Sequence, residues 1–183
     1  MPLATAADVV AARRILVYGV SGAGKSTLAK QLGEALALPV HLVDDEIGWL
    51  PGWVERPVGE QRAIASVLAA EDAWVLDSAY GKWIDMVWER TEVVVALDYP
   101  RWLSLGRLLL RSVARASDRR PICNGNTESF RQLFSRDSLI LWHFRSFPRK
   151  RARMRAWAAA SAGPKVFLAH RPRDVEHLLD SAR

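Results

Sequence analysis

Cysteine is nearly absent from this sequence, because Cys123 is the only one in 183 residues. A single thiol excludes an internal disulfide and is typical of a reducing compartment, so we predict a cytoplasmic protein. Long hydrophobic runs are also missing: the most apolar stretch, around Trp102–Leu110, is interrupted by Arg107. A membrane span needs about 20 apolar residues, so we expect no membrane insertion. The first dozen residues lack the basic start and the apolar block of a signal peptide, and we predict a frayed or weakly helical extension.

Acidic residues are scarce in one part of the chain only. Between Arg101 and Arg155 there are 14 basic residues and three acidic ones, although the net charge of the whole sequence is only +6. Of the 26 basic residues 21 are arginine, whose planar guanidinium binds phosphate through two parallel hydrogen bonds. The pattern favours an anionic ligand. A solvated basic surface, or a patch for nucleic acid, is the alternative.

Short apolar segments alternate with helical patterns along the whole sequence. This order predicts parallel β-α-β units in one domain of residues 1–183, with helices on both faces of the sheet. We expect five strands, and the segment 48–57 between the second strand and the next helix reads as a loop. The predicted strands are Arg14–Gly19, Val40–Val43, Trp74–Asp77, Val93–Asp98 and Lys165–Leu168. The predicted helices are Gly24–Leu36, Val58–Ala70, Arg101–Ala116, Asp137–Ala160 and Pro172–Leu179.

The segment from Gly19 to Ser26 reads GVSGAGKS and fits the pattern G-x-x-x-x-G-K-[ST] between a strand and a helix. Its glycines let the backbone wrap an anion with N–H groups pointing at phosphates, and the helix N-terminus adds positive potential. We predict that Lys25 contacts the β- and γ-phosphates and that the Ser26 hydroxyl binds Mg²⁺. The predicted nucleotide-binding residues of this loop are Gly19, Ser21, Gly22, Ala23, Gly24, Lys25, Ser26 and Thr27.

Carboxylates follow two of the predicted strands, at the sheet edge where ligands of such folds bind. Asp77 ends the strand Trp74–Asp77 and is our candidate for a second magnesium ligand, acting through water. Asp44 and Asp45 follow the second strand, and we predict a catalytic, acceptor-binding role for Asp45. Asp98 also ends a strand, but a proline follows closely, so we interpret it as a helix-initiating residue.

Arginines recur every four residues on two predicted helices. Arg107 and Arg111 share one face with Arg115, and a turn-rich segment at 118–129, which we expect to be mobile, joins this helix to the next. These features predict an arginine-rich helical lid over residues 101–155 that neutralises transition-state charge and excludes water, with Arg107 and Arg111 as catalytic residues. Arg145, Arg149 and Arg153 repeat the spacing, as lid or as surface residues.

Aromatic residues cluster after the acidic strand end. Trp49 and Trp53 flank a Pro-Gly turn, and we predict that they form a wall of the acceptor site, although a core position is the alternative. Histidine and cysteine show no spacing typical of a metal site.

With these residues in view, the chain resembles the adenylate-kinase-like P-loop kinases, and more narrowly the DNA topology modulation (FlaR-like) group. The resemblance rests on GVSGAGKST, D-x-x-x-W-x-PGW from Asp45, WVLD ending at Asp77, LDYPRW ending at Trp102, the Arg107/Arg111 pair and NGNTES. It implies a three-layer α/β/α P-loop NTPase fold with a five-stranded parallel sheet, and ATP or a related nucleoside triphosphate as donor.

The resemblance also carries implications for individual residues. It places Asp77 at the position of the Walker B carboxylate and the loop with Arg171 where such kinases hold the adenine. Relatives have Gly-Asn-Tyr after the aspartate, whereas this chain has Ser-Ala-Tyr ending at Tyr80, which we assign to the acceptor site.

These observations predict Mg²⁺-dependent phosphoryl transfer from ATP to a small molecule. A nucleoside monophosphate, bound by cations such as Arg56, Arg62 and Lys82, and a nucleoside, activated by a carboxylate base, both remain open. The alternative is a nucleotide-dependent ATPase or switch that acts on nucleic acid through the basic segment. We expect a monomer or a homodimer.

Overall fold

The computed structural model describes residues 3–78, 80–118, 121–128 and 138–183. Residues 119–120 and 129–137 of the predicted lid lie outside the described residues. The described residues contain seven strands: β1 (Arg14–Gly19), β2 (Val40–His41), β3 (Trp49–Leu50), β4 (Val54–Glu55), β5 (Trp74–Leu76), β6 (Val93–Leu97) and β7 (Lys165–Ala169). The helices are α1 (Ala6–Ala11), α2 (Lys25–Leu36), α3 (Val58–Ala70), α4 (Ile84–Trp88), α5 (Arg101–Asp118), α6 (Leu139–Ala159) and α7 (Pro172–Ser181).

Five strands form a parallel sheet in the order β2-β5-β1-β6-β7, and the expected α/β fold is confirmed. Each strand is covered on both faces because its side chains alternate between two apolar clusters. In β1, Ile15 and Val17 face the cluster that includes Leu28 of α2, whereas Leu16 and Tyr18 face the cluster that includes Met154 of α6. The sheet therefore lies between two helical layers.

The predicted frayed or weakly helical extension contains helix α1, Ala6–Ala11, in the part that the structure describes. Thr5 and Asp8 form a capping box that starts α1, and Val9 of this helix is fully buried. A helix as short as α1 is not stable in isolation. Burial of Val9 is therefore what stabilises α1 against the rest of the domain.

The segment after β2 departs most from the prediction. The second strand ends at His41 instead of Val43, and residues Asp44–Gly48 form a single π-helical turn. The expected loop at 48–57 contains the antiparallel pair β3–β4, which turns at Gly52 with a positive φ of 81°. Helix α4 was not predicted, because five residues are too short for a recognisable helical pattern.

Parallel strands all end at the same edge of a sheet, so the residues that follow β1, β2, β5 and β6 converge there. These residues are the P-loop, Asp44, Asp77 and Asp98. No helix among the described residues is both long and apolar enough to span a bilayer.

Candidate functional site

The loop between β1 and α2 has the shape of an anion cradle. Gly22 and Gly24 adopt positive φ angles of 81° and 95°, which glycine reaches without steric cost. A Cβ on Gly22 would lie 2.9 Å from Cβ of Leu108 and would collide with the carbonyl of Ser104, so α5 packs directly on the loop. The loop and the N-terminus of α2 together can bind phosphate.

Lys25 lies at the start of α2 with its Nζ donating to the carbonyl of Val20 at 3.1 Å. Burial lowers the pKa of Lys25, while the nearby carboxylates of Asp44 and Asp77 act in the opposite direction. Arg111 also lowers this pKa, which places its charge near the same ammonium group. The structure therefore brings three of the predicted residues, Lys25, Asp77 and Arg111, to one site.

Ser26 and Asp77 meet across the sheet edge. The Ser26 Oγ donates to Oδ2 of Asp77 at 2.5 Å, and the backbone N–H of Val43 donates to Oδ1 at 2.9 Å. Burial raises the pKa of Asp77, and the hydrogen bond from Ser26 counteracts this rise.

This donor set fits Mg²⁺, which prefers oxygen ligands and keeps several waters and phosphate oxygens. The described residues contain no cluster of three or more His, Cys, Asp or Glu side chains suited to a metal.

Arg107 extends from α5 over the P-loop. Its Nη1 donates to the carbonyl of Ala23 at 3.5 Å, and its guanidinium lies 5.6 Å from the centre of the Tyr99 ring. Burial raises the pKa of Tyr99 to about 12, so this ring is a neutral platform at physiological pH. Arg107 thus reaches the loop, whereas Thr27 of the predicted set is exposed on α2.

At the predicted acceptor side of the site, the carboxylate that lies near the Lys25 ammonium group is that of Asp44. The Tyr80 hydroxyl donates a hydrogen bond to Oδ1 of Asp44, and burial raises the pKa of Tyr80 far above its usual range. A Cβ on Gly48 would lie 3.1 Å from Cζ of Tyr80, so the π-helical turn packs against this ring. Both Asp44 and the predicted Asp45 lie near Cys123, whose pKa is raised to about 12 by burial and then by these two carboxylates, and the acceptor-binding role of Asp45 stays a prediction.

Trp49 and Trp53 contact each other edge to face, with ring centres 5.6 Å apart. The segment 121–128 binds this pair through side-chain amides. Asn124 donates to the carbonyls of Asp45 and Trp49 at 2.5 and 2.6 Å, and Asn126 donates to the carbonyl of Leu50 at 3.0 Å. The turn-rich region expected to be mobile is therefore attached, where described, to the acceptor side.

One sequence interpretation changes at the other end of this sheet edge. Asp98 does not start α5; it is buried and pairs with Arg151 at 2.8 Å and Arg155 at 3.0 Å. The reason is that α6 packs across β1 and β7 and brings its arginines over the end of β6. Arg171 is exposed where α7 begins, with its backbone N–H donating to Asp174 at 2.9 Å, and its contact with a nucleotide base stays a prediction.

The basic helix α6 supplies two contacts that the sequence did not reveal. Lys150 donates to the carbonyl of Gly19 at 3.3 Å, and His143 contacts the carbonyl of Ser21 through Nδ1 at 3.1 Å. The sequence signal that could have revealed these contacts is the spacing of seven residues, or two helical turns, between His143 and Lys150. Arg145 and Arg149, which the repeat of arginines singled out, are exposed.

No protein-family model and no curated protein matches the sequence. Solved structures match nearly the whole chain. A shikimate kinase from Acinetobacter baumannii in complex with shikimate is 17% identical, with 96% of this chain and 94% of that chain covered and a TM-score of 0.59. A gluconokinase from Sinorhizobium meliloti 1021 is 14% identical, with 93% and 89% covered and a TM-score of 0.52.

A deoxyadenosine kinase from M. mycoides, with dCMP and dCDP bound as products, is 12% identical, with 91% of this chain and 95% of that chain covered and a TM-score of 0.51. These similarities show that the chain shares the fold of P-loop kinases. The narrower resemblance to the DNA topology modulation group stays a prediction.

Proposed function

We propose that this chain transfers the γ-phosphoryl group of ATP, or of a related nucleoside triphosphate, to a small-molecule acceptor. The observation that carries the proposal is the hydrogen bond of 2.5 Å between Ser26 and Asp77, beside Lys25 at the mouth of the P-loop. It joins a metal-binding hydroxyl to a buried carboxylate at the sheet edge where phosphates bind in this fold class.

Magnesium would be held by the Ser26 oxygen and, through water, by Asp77. When bound, the metal neutralises charge on the β- and γ-phosphates. Lys25 and Arg107 would bind the same phosphates from α2 and α5, and Arg111 would add positive charge from the same helix.

The acceptor is best matched by a hydroxyl compound such as a nucleoside. The three cations that the sequence suggested for an acceptor phosphate each form an ion pair: Arg62 with Asp85 at 2.7 Å, Lys82 with Glu55 at 2.6 Å, and Arg56 with Glu60 at 3.3 Å. Asp44, in contrast, carries a carboxylate near Lys25. The names shikimate kinase, gluconokinase and deoxyadenosine kinase likewise describe enzymes of small molecules. A nucleoside monophosphate is the second choice.

In the proposed reaction the acceptor oxygen forms a bond to the γ-phosphorus while the bond to the β,γ-bridging oxygen breaks. The nucleoside diphosphate leaves with that electron pair, and the acceptor proton passes to the Asp44 carboxylate and then to solvent. Trp49, Trp53 and Tyr80 would form the wall against which the acceptor is oriented, and Asp45 would contribute to the same side.

The test begins with calorimetric titration of Mg-ADP and a non-hydrolysable Mg-ATP analogue into the wild type and Lys25→Met. We expect binding to the wild type and a loss of at least about 100-fold in the variant, since Lys25 is the central phosphate-binding cation. Lys30→Met, an exposed lysine on the same helix, is the matched control and should bind normally.

A panel of nucleosides, nucleoside monophosphates, shikimate and gluconate with Mg-ATP then identifies the acceptor by phosphorylated product. Nucleotide binding without transfer to any member would count against a kinase. ATP hydrolysis stimulated by DNA or RNA, and weakened by salt, would instead favour the nucleic-acid alternative.

A further inference from the structure

Two ammonium groups lie side by side on the P-loop. Lys25 donates to the carbonyl of Val20 at 3.1 Å, and Lys150 donates to the carbonyl of the preceding residue, Gly19, at 3.3 Å. Within the described part of the chain, neither lysine forms an ion pair with a carboxylate. Two like charges held on consecutive carbonyls repel each other, and an anion placed between them would remove the repulsion.

The position of Lys150 is fixed by the packing of α6. Phe147 and Met154, three residues before and four after, are buried in the two core clusters. The Lys150 ammonium lies 5.6 Å from the centre of the Tyr18 ring at the end of β1. His143, two turns earlier, binds the carbonyl of Ser21. This helix face is therefore built against the P-loop, and Lys150 does not extend freely into solvent.

Lys150 also lies between the donor side and the acceptor side of the site. The charged groups that face it are Lys25 from α2, Asp44 from the π-helical turn, and Arg153 from its own helix. The pKa of Lys150 is lowered to about 7, mainly by burial; the charges of Lys25 and Arg153 act in the same direction, and Asp44 opposes the shift. The remaining titratable neighbours are Tyr18 and His143. Burial raises the pKa of Tyr18 and lowers the pKa of His143.

We propose that Lys150 is a catalytic residue that binds the γ-phosphoryl group while it moves from the donor to the acceptor. The proposal rests on the proposed function and adds a cation from a third structural element to Lys25 of α2 and to Arg107 and Arg111 of α5. Arg107 reaches the loop at Ala23, whereas Lys150 reaches it at Gly19, so the two approach the phosphoryl group from different sides. Lys150 forms no covalent bond and stays an ammonium group throughout the transfer.

The first experiment compares affinities for Mg-ADP and for a non-hydrolysable Mg-ATP analogue by calorimetry. Lys150→Met should weaken binding of the triphosphate analogue by roughly 10-fold to 100-fold and leave Mg-ADP affinity within about 3-fold, because only the analogue carries a γ-phosphate. It should also lower kcat by roughly 100-fold. Lys150→Arg should restore most of the analogue affinity. Arg149→Met, the exposed neighbour on the same helix, is the matched control and should match the wild type.

The second experiment measures proton uptake when the triphosphate analogue binds at pH 8, by titration in buffers of different ionisation enthalpy. The wild type should take up a proton because the γ-phosphate restores the charge of Lys150, whereas Lys150→Arg and Lys150→Met should not. At this pH His143 is neutral because its pKa is lowered.

The role of Lys150 would be overturned if the wild type and Lys150→Met had the same ratio of triphosphate-analogue affinity to Mg-ADP affinity and the same kcat. This result would leave the proposed function intact. Wild-type protein that binds neither nucleotide would overturn the proposed function itself. If Lys150→Met fails to fold, Lys150→Gln replaces it, and the same comparison of analogue affinity, Mg-ADP affinity and kcat decides the role of Lys150.

Discussion

The side-chain oxygen of Asn126 accepts a hydrogen bond from the backbone N–H of Trp53 at 2.7 Å, although 73 residues separate them in sequence. The amide nitrogen of Asn126 donates to Leu50 on the same hairpin. The Trp53 indole in turn donates to the carbonyl of Thr127 at 3.0 Å. Asn126 and Trp53, together with Asn124, thus join the segment 121–128 to the hairpin β3–β4, which carries the proposed acceptor wall.

Asn126→Ala should therefore weaken acceptor binding selectively. The substitution leaves the N–H of Trp53 and the carbonyl of Leu50 without their partner, which costs about 1 to 3 kcal/mol. We expect KM for the acceptor to rise roughly 5-fold to 100-fold, while the affinity for Mg-ADP stays the same. Steady-state kinetics and calorimetry measure the two quantities. A parallel loss of nucleotide affinity would show that Asn126 supports the whole site instead of the acceptor wall.

Gly22→Ala should damage both stability and nucleotide binding. The new methyl group would collide with α5 at Ser104 and Leu108, and the positive φ of 81° is unfavourable for alanine. We expect a loss of about 1 to 3 kcal/mol in the free energy of unfolding and at least a 10-fold loss of Mg-ADP affinity.

Gly59→Ala is the matched control for this substitution. Gly59 lies in α3, where an added Cβ meets no atom within 4 Å, so alanine should stabilise the helix by about 0.5 to 1 kcal/mol. Denaturant unfolding of both variants checks the contrast. If Gly22→Ala were as stable as Gly59→Ala, α5 would not pack on the P-loop as described.

The site could be predicted from sequence where chemistry and topology act locally. Lys25 and Ser26 follow from the loop motif, and Asp77 follows because parallel strands end at one edge of the sheet. Their meeting needs no knowledge of how distant helices pack. The continuous apolar runs of β1 and β6, which are typical of buried parallel strands, made the central sheet equally predictable.

The remaining contacts depend on helix placement that no local pattern encodes. Lys150 reaches Gly19 from 131 residues away, and only the rotation of α6 on the sheet selects it over its neighbours Arg149 and Arg153. Asp44 lies beside Lys25 because a π-helical turn follows β2, where a continued strand to Val43 was expected. The role of Asp98 was also mispredicted, because its partners Arg151 and Arg155 come from α6, whose placement no local pattern encodes.

His41 should make stability depend on pH near neutrality. Its ring nitrogens contact Glu46 at 2.8 Å and Glu71 at 3.1 Å, joining β2 to the π-helical turn and to the end of α3. Burial alone would lower the pKa of His41, but the two carboxylates outweigh it and raise the pKa above 6.5. The stabilisation is therefore fully present below pH 6.5 and is lost as the pH rises through the higher folded-state value.

Unfolding free energies of the wild type and His41→Gln between pH 5.5 and 8.5 test this expectation. At the acidic end the variant should be less stable by on the order of 2 kcal/mol, because two hydrogen bonds to charged groups are lost, and the gap should narrow at higher pH. His177→Gln, an exposed histidine on α7, is the control and should leave the profile unchanged. A gap that widens with pH would contradict the assignment.

Asp8 should attach α1 to the sheet in a manner that fails in acid. Its carboxylate binds the Lys165 ammonium at 2.6 Å and accepts from the backbone and hydroxyl of Thr5, each at 2.8 Å. The bond to Lys165, followed by those to Thr5, lowers the pKa of Asp8 well below 3.8. Because the folded-state pKa is depressed, the stabilisation is present above about pH 4 and disappears as the pH falls toward the folded value.

Asp8→Asn should therefore lower Tm and speed amide hydrogen exchange in α1 at pH 7, with the difference in Tm shrinking as the pH drops below 4. Asp72→Asn, which alters an exposed carboxylate in the loop before β5, should leave both measurements unchanged. A difference between wild type and Asp8→Asn that grew on acidification would show that the carboxylate does not act through these bonds.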